Sequence, residues 1–181
     1  MAFPVLETNR MKLIEIGSEY TDGYFEIMSR EKVTRYYGMN RLTDRDQAEE
    51  MIRSFSETFK SNRGIRWGLI LKDTRKFIGT IGLNNLSTYS KKAEIGYELH
   101  PDFWRNGYIS EAINEVLAYS YEILDLYRIG AVTFPQNDAS NHLLVKLGFE
   151  KEGKLRGYLY QNGRSHDAFI FSYLKTDWEQ R

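Results

Sequence analysis

The residues best suited to chemistry fall in three short stretches. The first, Trp104-Arg105-Asn106-Gly107-Tyr108-Ile109-Ser110-Glu111, reads as a strand-to-helix junction in which Gly107 lets the backbone turn tightly. The first turn of a helix carries unpaired N–H groups and a positive dipole end, so it can hold a pyrophosphate with little cationic help. A glycine there also serves as an ordinary turn, and the junction alone does not choose. The second, Asn137-Asp138-Ala139-Ser140, precedes the run Leu143–Phe149. Asn137 or Asp138 can simply cap the helix that follows. Asn137 and Ser140 become ligand candidates only if the preceding strand delivers them to the same place as the junction. The third is a strand pattern, Lys92–His100, with Glu94, Gly96, Glu98 and His100 on one face and Ala93, Ile95, Tyr97 and Leu99 on the other. A carboxylate on such a face can act as a general base or simply be solvated.

Other chemistries find less support. There is no cysteine, which removes disulfides, thiolate catalysis and cysteine zinc sites. His100, His142 and His166 are too scattered for a metal triad, so no metal is expected. His166 and Asp167 are neighbours on a strand and point to opposite faces, which argues against a dyad and leaves Asp167 as an anchor of the last strands. With 25 Lys+Arg against 25 Asp+Glu, the chain lacks the cationic surplus of a phosphate-backbone binder, and no nucleic-acid partner is expected. No Lys-Ser/Thr pair follows Gly107 as in an ATP-binding P-loop. Neither a signal-peptide run nor an uncharged stretch of about 18 to 20 residues is present, so the expectation is a cytoplasmic protein without a membrane partner.

The elements that must position these stretches follow from periodicity. At 181 residues, without repeats or linkers, one domain spanning 1–181 is expected. Arg10–Ile16 reads as a strand, and Asp22 can cap a helix through Met28. Thr43–Lys60 reads as a helix, with Ala48, Met51, Ile52, Phe55 and Phe59 at helical spacing. Arg66–Lys72, Phe77–Leu83 and Lys92–His100 form consecutive strands joined by short turns. Gly107–Leu124 is the strongest helix, Arg128–Phe134 a buried strand, and Ala139–Leu147 a short helix stopped at Gly148. Phe149–Tyr160 and His166–Leu174 close the chain around an Asn162-Gly163 hairpin signal. This is an α+β arrangement: a mixed, mostly antiparallel sheet of about seven strands with helices on both faces. Pro101 and Pro135 end the strands 92–100 and 128–134, and a splay between these would open a slot beside the Gly107 helix.

The run Ala93–Ala112, then Asn137–Ser140, Lys146–Phe149 and Glu152-Gly153, resembles the GNAT superfamily of acetyl-CoA-dependent N-acetyltransferases, within it the Rim-type branch of ribosomal-protein N-acetyltransferases. TNRMKL near the start, Phe77–Leu83 and the closing His166–Trp178 also match, so the resemblance covers nearly the whole chain in family order. It implies acetyl-CoA as donor, with Leu99 and His100 meeting the pantetheine arm through their backbone. Arg105, Asn106, Gly107, Tyr108, Ile109 and Ser110 would wrap the pyrophosphate. Asn137 would bond the cofactor arm, and Ser140 would lie near the sulfur. Glu94 matches the glutamate base of some members, with Glu98 in reserve.

The departures are Arg105 where the branch usually has glycine, Ile109 where Gly or Ala is expected, and Leu144 where many members place a tyrosine acid. Ser140 is then the remaining candidate donor to the leaving thiolate. The acceptor implied is an amine: a protein N-terminus, ribosomal-protein-like, or alternatively a polyamine or antibiotic. A non-catalytic acyl-CoA-binding module is the competing class. Monomer and homodimer both remain open.

Overall fold

Alternating apolar residues pair into one eight-stranded sheet in the computed structural model, which describes residues 1–181. In chain order the elements are β1 Leu6–Glu7, β2 Met11–Glu15, α1 Thr21–Met28, α2 Glu31–Thr34, α3 Arg45–Lys60, β3 Ile65–Leu71, β4 Phe77–Ser87 and β5 Lys92–Leu99. There follow α4 Tyr108–Ala118, β6 Arg128–Thr133, α5 Asp138–Lys146, β7 Glu150–Gln161, β8 Arg164–Leu174 and α6 Lys175–Glu179. The strand order is β1-β2-β3-β4-β5-β6-β8-β7. Neighbours joined by short turns pair antiparallel, while β5 and β6, joined through α4, pair parallel.

The mixed sheet with helices on two faces is as expected, with one strand more than the seven predicted. The addition is β1, whose two residues are too short to show a period. The four-residue α2 and five-residue α6 escaped the sequence reading for the same reason. The helix expected from Thr43 begins at Arg45, with Asp44 as its cap. Asp44 accepts from the Asp46 and Gln47 N–H groups at 2.8 and 3.2 Å, and Gln47 reaches back to Thr43 N–H at 2.7 Å. The α4 helix ends at Ala118 and widens into a π turn over Tyr119–Ile123, so its expected run to Leu124 is irregular in its last turn. The β7–β8 turn has Asn162 and Gly163 both at positive φ, 52° and 72°, as a tight two-residue hairpin requires.

Two cores hold the sheet. On one face α4 buries Ala112, Ile113, Val116 and Leu117 against Trp67, Leu69, Ile81 and Ile95. On the other, α1 and α3 close over a smaller cluster centred on Tyr24, Ile27, Ala48 and Ile52. The feature that matters for function lies between β5 and β6. They pair at Lys92–Arg128, Ala93–Ile129 and Glu94–Gly130 and then part. Beyond that point β5 runs to Leu99 bonded only to β4, and β6 to Thr133 bonded only to β8. The splay therefore opens at Glu94, well before the prolines that mark the strand ends.

Candidate active site

The splay opens into a cavity of about 930 Å³. One wall is β5 with the first turn of α4, and the other is the end of β6 with the first turn of α5. Residues around α2, including Tyr36 and Tyr37, cover it from the α1–α3 side. Of the residues singled out from sequence, Glu94, Leu99, Arg105, Gly107, Tyr108, Ile109, Ser110, Asn137 and Ser140 line this one space. His100 and Asn106 do not.

His100 is drawn away by other bonds. Its N–H goes to the Ile78 carbonyl at 2.8 Å, and its buried ring bonds Glu26 at 3.2 Å while accepting from Asp102 N–H at 3.2 Å. Asn106 is exposed and donates to the Trp104 carbonyl at 3.0 Å. His142 is exposed as well. Asp167 accepts from Gly157 N–H at 2.9 Å and so ties β7 to β8.

The junction ahead of α4 has a definite shape. Gly107, at φ 79°, is the N-cap of α4, and no side chain caps that helix. The contrast with Asp44 at α3 and Asn137 at α5 is direct: the first-turn N–H groups of α4 are left for a ligand. Arg105 also stands at positive φ, 60°, which explains why glycine suits this position in the branch. Trp104 pins the junction to the strand end, its indole N–H donating to the Leu99 carbonyl at 2.8 Å. Ile109 is half-buried, packing against the core under α4 while lining the slot.

Glu94 and Glu98 lie on the same strand face in different surroundings. Glu94 sits where the strands part, half-exposed, and accepts from the Asn85 amide at 3.1 Å. Glu98 is only 4% exposed and is already committed. It accepts from the Thr80 hydroxyl and, at 2.5 Å, from the Tyr37 hydroxyl, with Arg66 at 3.8 Å. Arg66 in turn donates to the Gly96 carbonyl at 3.1 Å and to Asn84 at 3.0 Å. Burial and the Glu98 carboxylate push the Tyr37 phenol well up, so it stays a donor. This buried network fixes the slot floor and leaves Glu98 no free role as a base.

On the α5 side, Asn137 caps the helix, its side chain accepting from Ser140 N–H at 3.4 Å. The Ser140 hydroxyl bonds the Tyr97 hydroxyl at 2.7 Å, reaching from α5 to β5 across the opening. Burial pushes the Tyr97 phenol up to about 12, only partly offset by the bond to Ser140. Sequence periodicity placed Tyr97 on the core face of its strand and so passed over it. The available signal was a hydroxyl among Ile95 and Leu99 next to the splay. Leu144, at the position where the resemblance implies a tyrosine, is fully buried.

A slot between parting parallel strands, with an uncapped helix N-terminus on one wall, is the geometry beside which the comparisons with known proteins are set. Residues 10–150 match the family described as the acetyltransferase (GNAT) domain. The chain belongs to the GNAT acetyltransferase family. This acetyltransferase is 47% identical to YoaA, an uncharacterized N-acetyltransferase of Bacillus subtilis (strain 168), over 96% of this chain and 98% of that protein. It is 30% identical to the [ribosomal protein uS5]-alanine N-acetyltransferase of Escherichia coli (strain K12), over 68% of this chain and 64% of that one. Spermidine N(1)-acetyltransferase of Vibrio cholerae is 30% identical over 62% of this chain and 65% of its own. Among solved structures, a crystal structure of a probable acetyltransferase superposes with TM-score 0.84 at 26% identity, covering 97% of this chain and 99% of its own. The spermidine enzyme in complex with CoA and spermine superposes at 0.82 with 21% identity, covering 94% and 98%. The chain is thus a GNAT acetyltransferase with acetyl-CoA as its acetyl donor, similar to ribosomal-protein and spermidine enzymes alike. No helix is long and apolar enough to cross a membrane.

Proposed function

We propose that this acetyltransferase transfers the acetyl group by direct attack of a primary amine, and that the amine is a protein N-terminus. The observation that carries the choice of acceptor is the charge of the slot. With Glu98 and Arg66 paired to each other and Arg105 at the α4 junction, the remaining charges lining it are the cations Lys32 and Arg35 against one carboxylate, Glu94. A polyamine presents several cations, each needing an anionic partner, and such a wall repels it. A peptide N-terminus presents one amine followed by neutral backbone. The likeness to the uS5-alanine enzyme supports the same reading. The cytoplasm, where acetyl-CoA and finished ribosomal proteins meet, is the matching location.

Acetyl-CoA, when bound, supplies the carbonyl carbon that the amine attacks and the sulfur that leaves as thiolate. The uncapped first turn of α4 with Arg105 would hold its pyrophosphate, and the unpaired β5 edge with Asn137 its pantetheine arm. Glu94, at the root of the splay, takes the proton that an ammonium must lose before its nitrogen can attack, directly or through one water. The second proton, lost from nitrogen as the C–N bond replaces the C–S bond, passes through solvent to the departing thiolate. Backbone N–H groups on the free edge of β5 steady negative charge on the carbonyl oxygen. Ser140 and Tyr97 face the sulfur side. A thiol near 8.5 is far more acidic than a phenol held at about 12, so this pair stabilises the departing thiolate by hydrogen bonding rather than by giving up its proton.

Isothermal titration with acetyl-CoA, with ATP as control, followed by a turnover screen of spermidine against N-terminal peptides, tests this reading. Micromolar acetyl-CoA binding with turnover of peptides alone is the expected result. Faster turnover of spermidine would overturn the acceptor assignment.

A further inference from the structure

Beside the slot, where it is covered by Arg35 and Tyr36, lies a second recess of about 350 Å³, and its composition is one-sided. It is lined by Arg35, Tyr36, Phe134, Gln161, Asn162, Arg164 and His166, with no carboxylate among them. Arg35, Tyr36 and Phe134 line both recess and slot, and Phe134 packs between Tyr36 at 6.0 Å and His166 at 5.3 Å centroid to centroid.

The recess is built rather than incidental. Gln161 is 3% exposed, and its amide donates to the Thr34 carbonyl at 2.8 Å and accepts from Gly38 N–H at 2.9 Å. Asn162 N–H adds a bond to the Asn40 side chain at 2.8 Å. These bonds lock the segment after α2 onto the β7–β8 turn. Each wall then contributes one arginine, Arg35 from the first and Arg164 from the second. The Arg35 guanidinium lies against the Tyr36 ring at 5.3 Å and makes no ion pair, and Arg164 makes none either. His166 is held by its Nε2 bond to the Gln161 carbonyl at 3.2 Å. Two guanidiniums without a carboxylate partner, set on opposite walls of a fixed recess, form a receptor for a planar or tetrahedral anion.

We infer that this recess is an anion subsite for the acceptor, and that the preferred acceptor is a peptide carrying an acidic side chain within its first few residues. The inference rests on the N-terminal acceptor reading above and narrows it. The amine enters the slot past Phe134 while the acidic side chain turns into the recess between Arg35 and Arg164. Both guanidiniums are solvent-facing, so the subsite works through selectivity and encounter rather than through a large affinity.

The test is a binding measurement on the CoA-loaded protein with nitrogen-15 labelling. The probes are two heptapeptides that begin Ala-Asp-Asp or Ala-Asn-Asn and are otherwise identical, and the small zwitterion β-alanine. The expected result is that the acidic peptide binds about tenfold more tightly than its neutral twin and shifts the amide signals of Asn162, Gly163 and Arg164. In the double variant Arg35→Gln/Arg164→Gln that preference falls to about onefold, and in wild type it shrinks with added salt. Equal binding of the two peptides, or a preference that survives the double variant, overturns the subsite. Binding of β-alanine as tight as that of the acidic peptide overturns the peptide assignment in favour of a small acid. Because these readings are of binding, an acidic peptide that binds but is never acetylated refutes the proposed reaction and leaves the subsite standing.

Discussion

Tyr97 on β5 and Ser140 on α5 share a hydrogen bond of 2.7 Å that spans the opening between the parted strands. It is a side-chain bridge where the backbone ladder has stopped, and it joins the two walls of the slot. Leu144 is apolar at the position where the family resemblance implies a tyrosine. The Tyr97–Ser140 pair supplies hydroxyl groups from another direction.

If the pair stabilises the departing thiolate as a unit, Tyr97→Phe and Ser140→Ala each lower kcat about tenfold, the order expected for one hydrogen bond to a developing charge. The double variant then loses little more than either single one, because each change already breaks the shared bond. Titration calorimetry would show acetyl-CoA affinity nearly unchanged. Full additivity in kcat would mean the two hydroxyls act separately.

The two carboxylates of β5 separate by a different comparison. Glu94→Gln is expected to depress turnover about a hundredfold at neutral pH, within the usual range for a lost general base. The deficit shrinks as the pH passes about 8, where an N-terminal amine loses its proton unaided. Glu98→Gln instead leaves a buried amide facing donors from Thr80, Tyr37 and Arg66, and lowers stability by about 2 to 3 kcal/mol. Urea unfolding and a pH–rate profile on both variants distinguish the roles. A pH-independent deficit in the Glu94 variant would remove it as the base.

How far these assignments were legible in the sequence depended on range. Face alternation along Lys92–His100 correctly grouped Glu94 with Glu98, because a strand period is local and survives any tertiary setting. It could not tell the two apart. What distinguishes them is Tyr37, which is 61 residues away from Glu98 in sequence and reaches it only after α1 and α3 pack on the sheet. The same alternation hid Tyr97 by assigning it to the core, since only the splay turns part of that face toward a ligand. His100 was misplaced for a similar reason. A β5 register places its N–H toward Ile78, and its ring meets Glu26 on α1. The glycine at 107 was legible because positive φ is written in residue type, while Arg105 at φ 60° breaks that code.

The α4 junction yields its own prediction. Gly107→Trp puts a side chain at φ 79°, where L residues are strained by about 1 to 2 kcal/mol, and fills the approach to the unpaired N–H groups. The variant should stay folded by circular dichroism and lose acetyl-CoA affinity by tenfold or more. Arg105→Gly and Arg105→Ala both delete the guanidinium, but only the glycine relieves the positive φ. Equal loss of affinity in the two, with the glycine variant the more stable, would assign Arg105 a direct role toward phosphate. Unchanged affinity in both would leave it only a backbone role.

The closed end of the slot is pinned by charge, and that makes acid the natural probe of it. Arg128, opposite Lys92 where β5 and β6 begin to pair, makes two 2.6 Å bonds to the Glu152 carboxylate on β7, which also accepts from Ser172 on β8 at 2.7 Å. The Arg128 hydrogen bonds, then that from Ser172, lower Glu152 from the usual 4.5 to about 2. A carboxylate with a lowered pKa favours the folded state fully above its ordinary value, and that contribution is lost as the pH falls toward the folded value. Solvent reaches this pair, which limits its worth to about 1 kcal/mol at pH 7 despite the bidentate geometry. Glu152→Gln should therefore be less stable than wild type by about that amount at neutral pH. In urea unfolding the gap should stay constant down to about pH 4.5 and close as the pH approaches about 2. A gap that persists at the acid end would show that the glutamine perturbs packing, and that the charge of Glu152 is not what holds β6 to the closing strands.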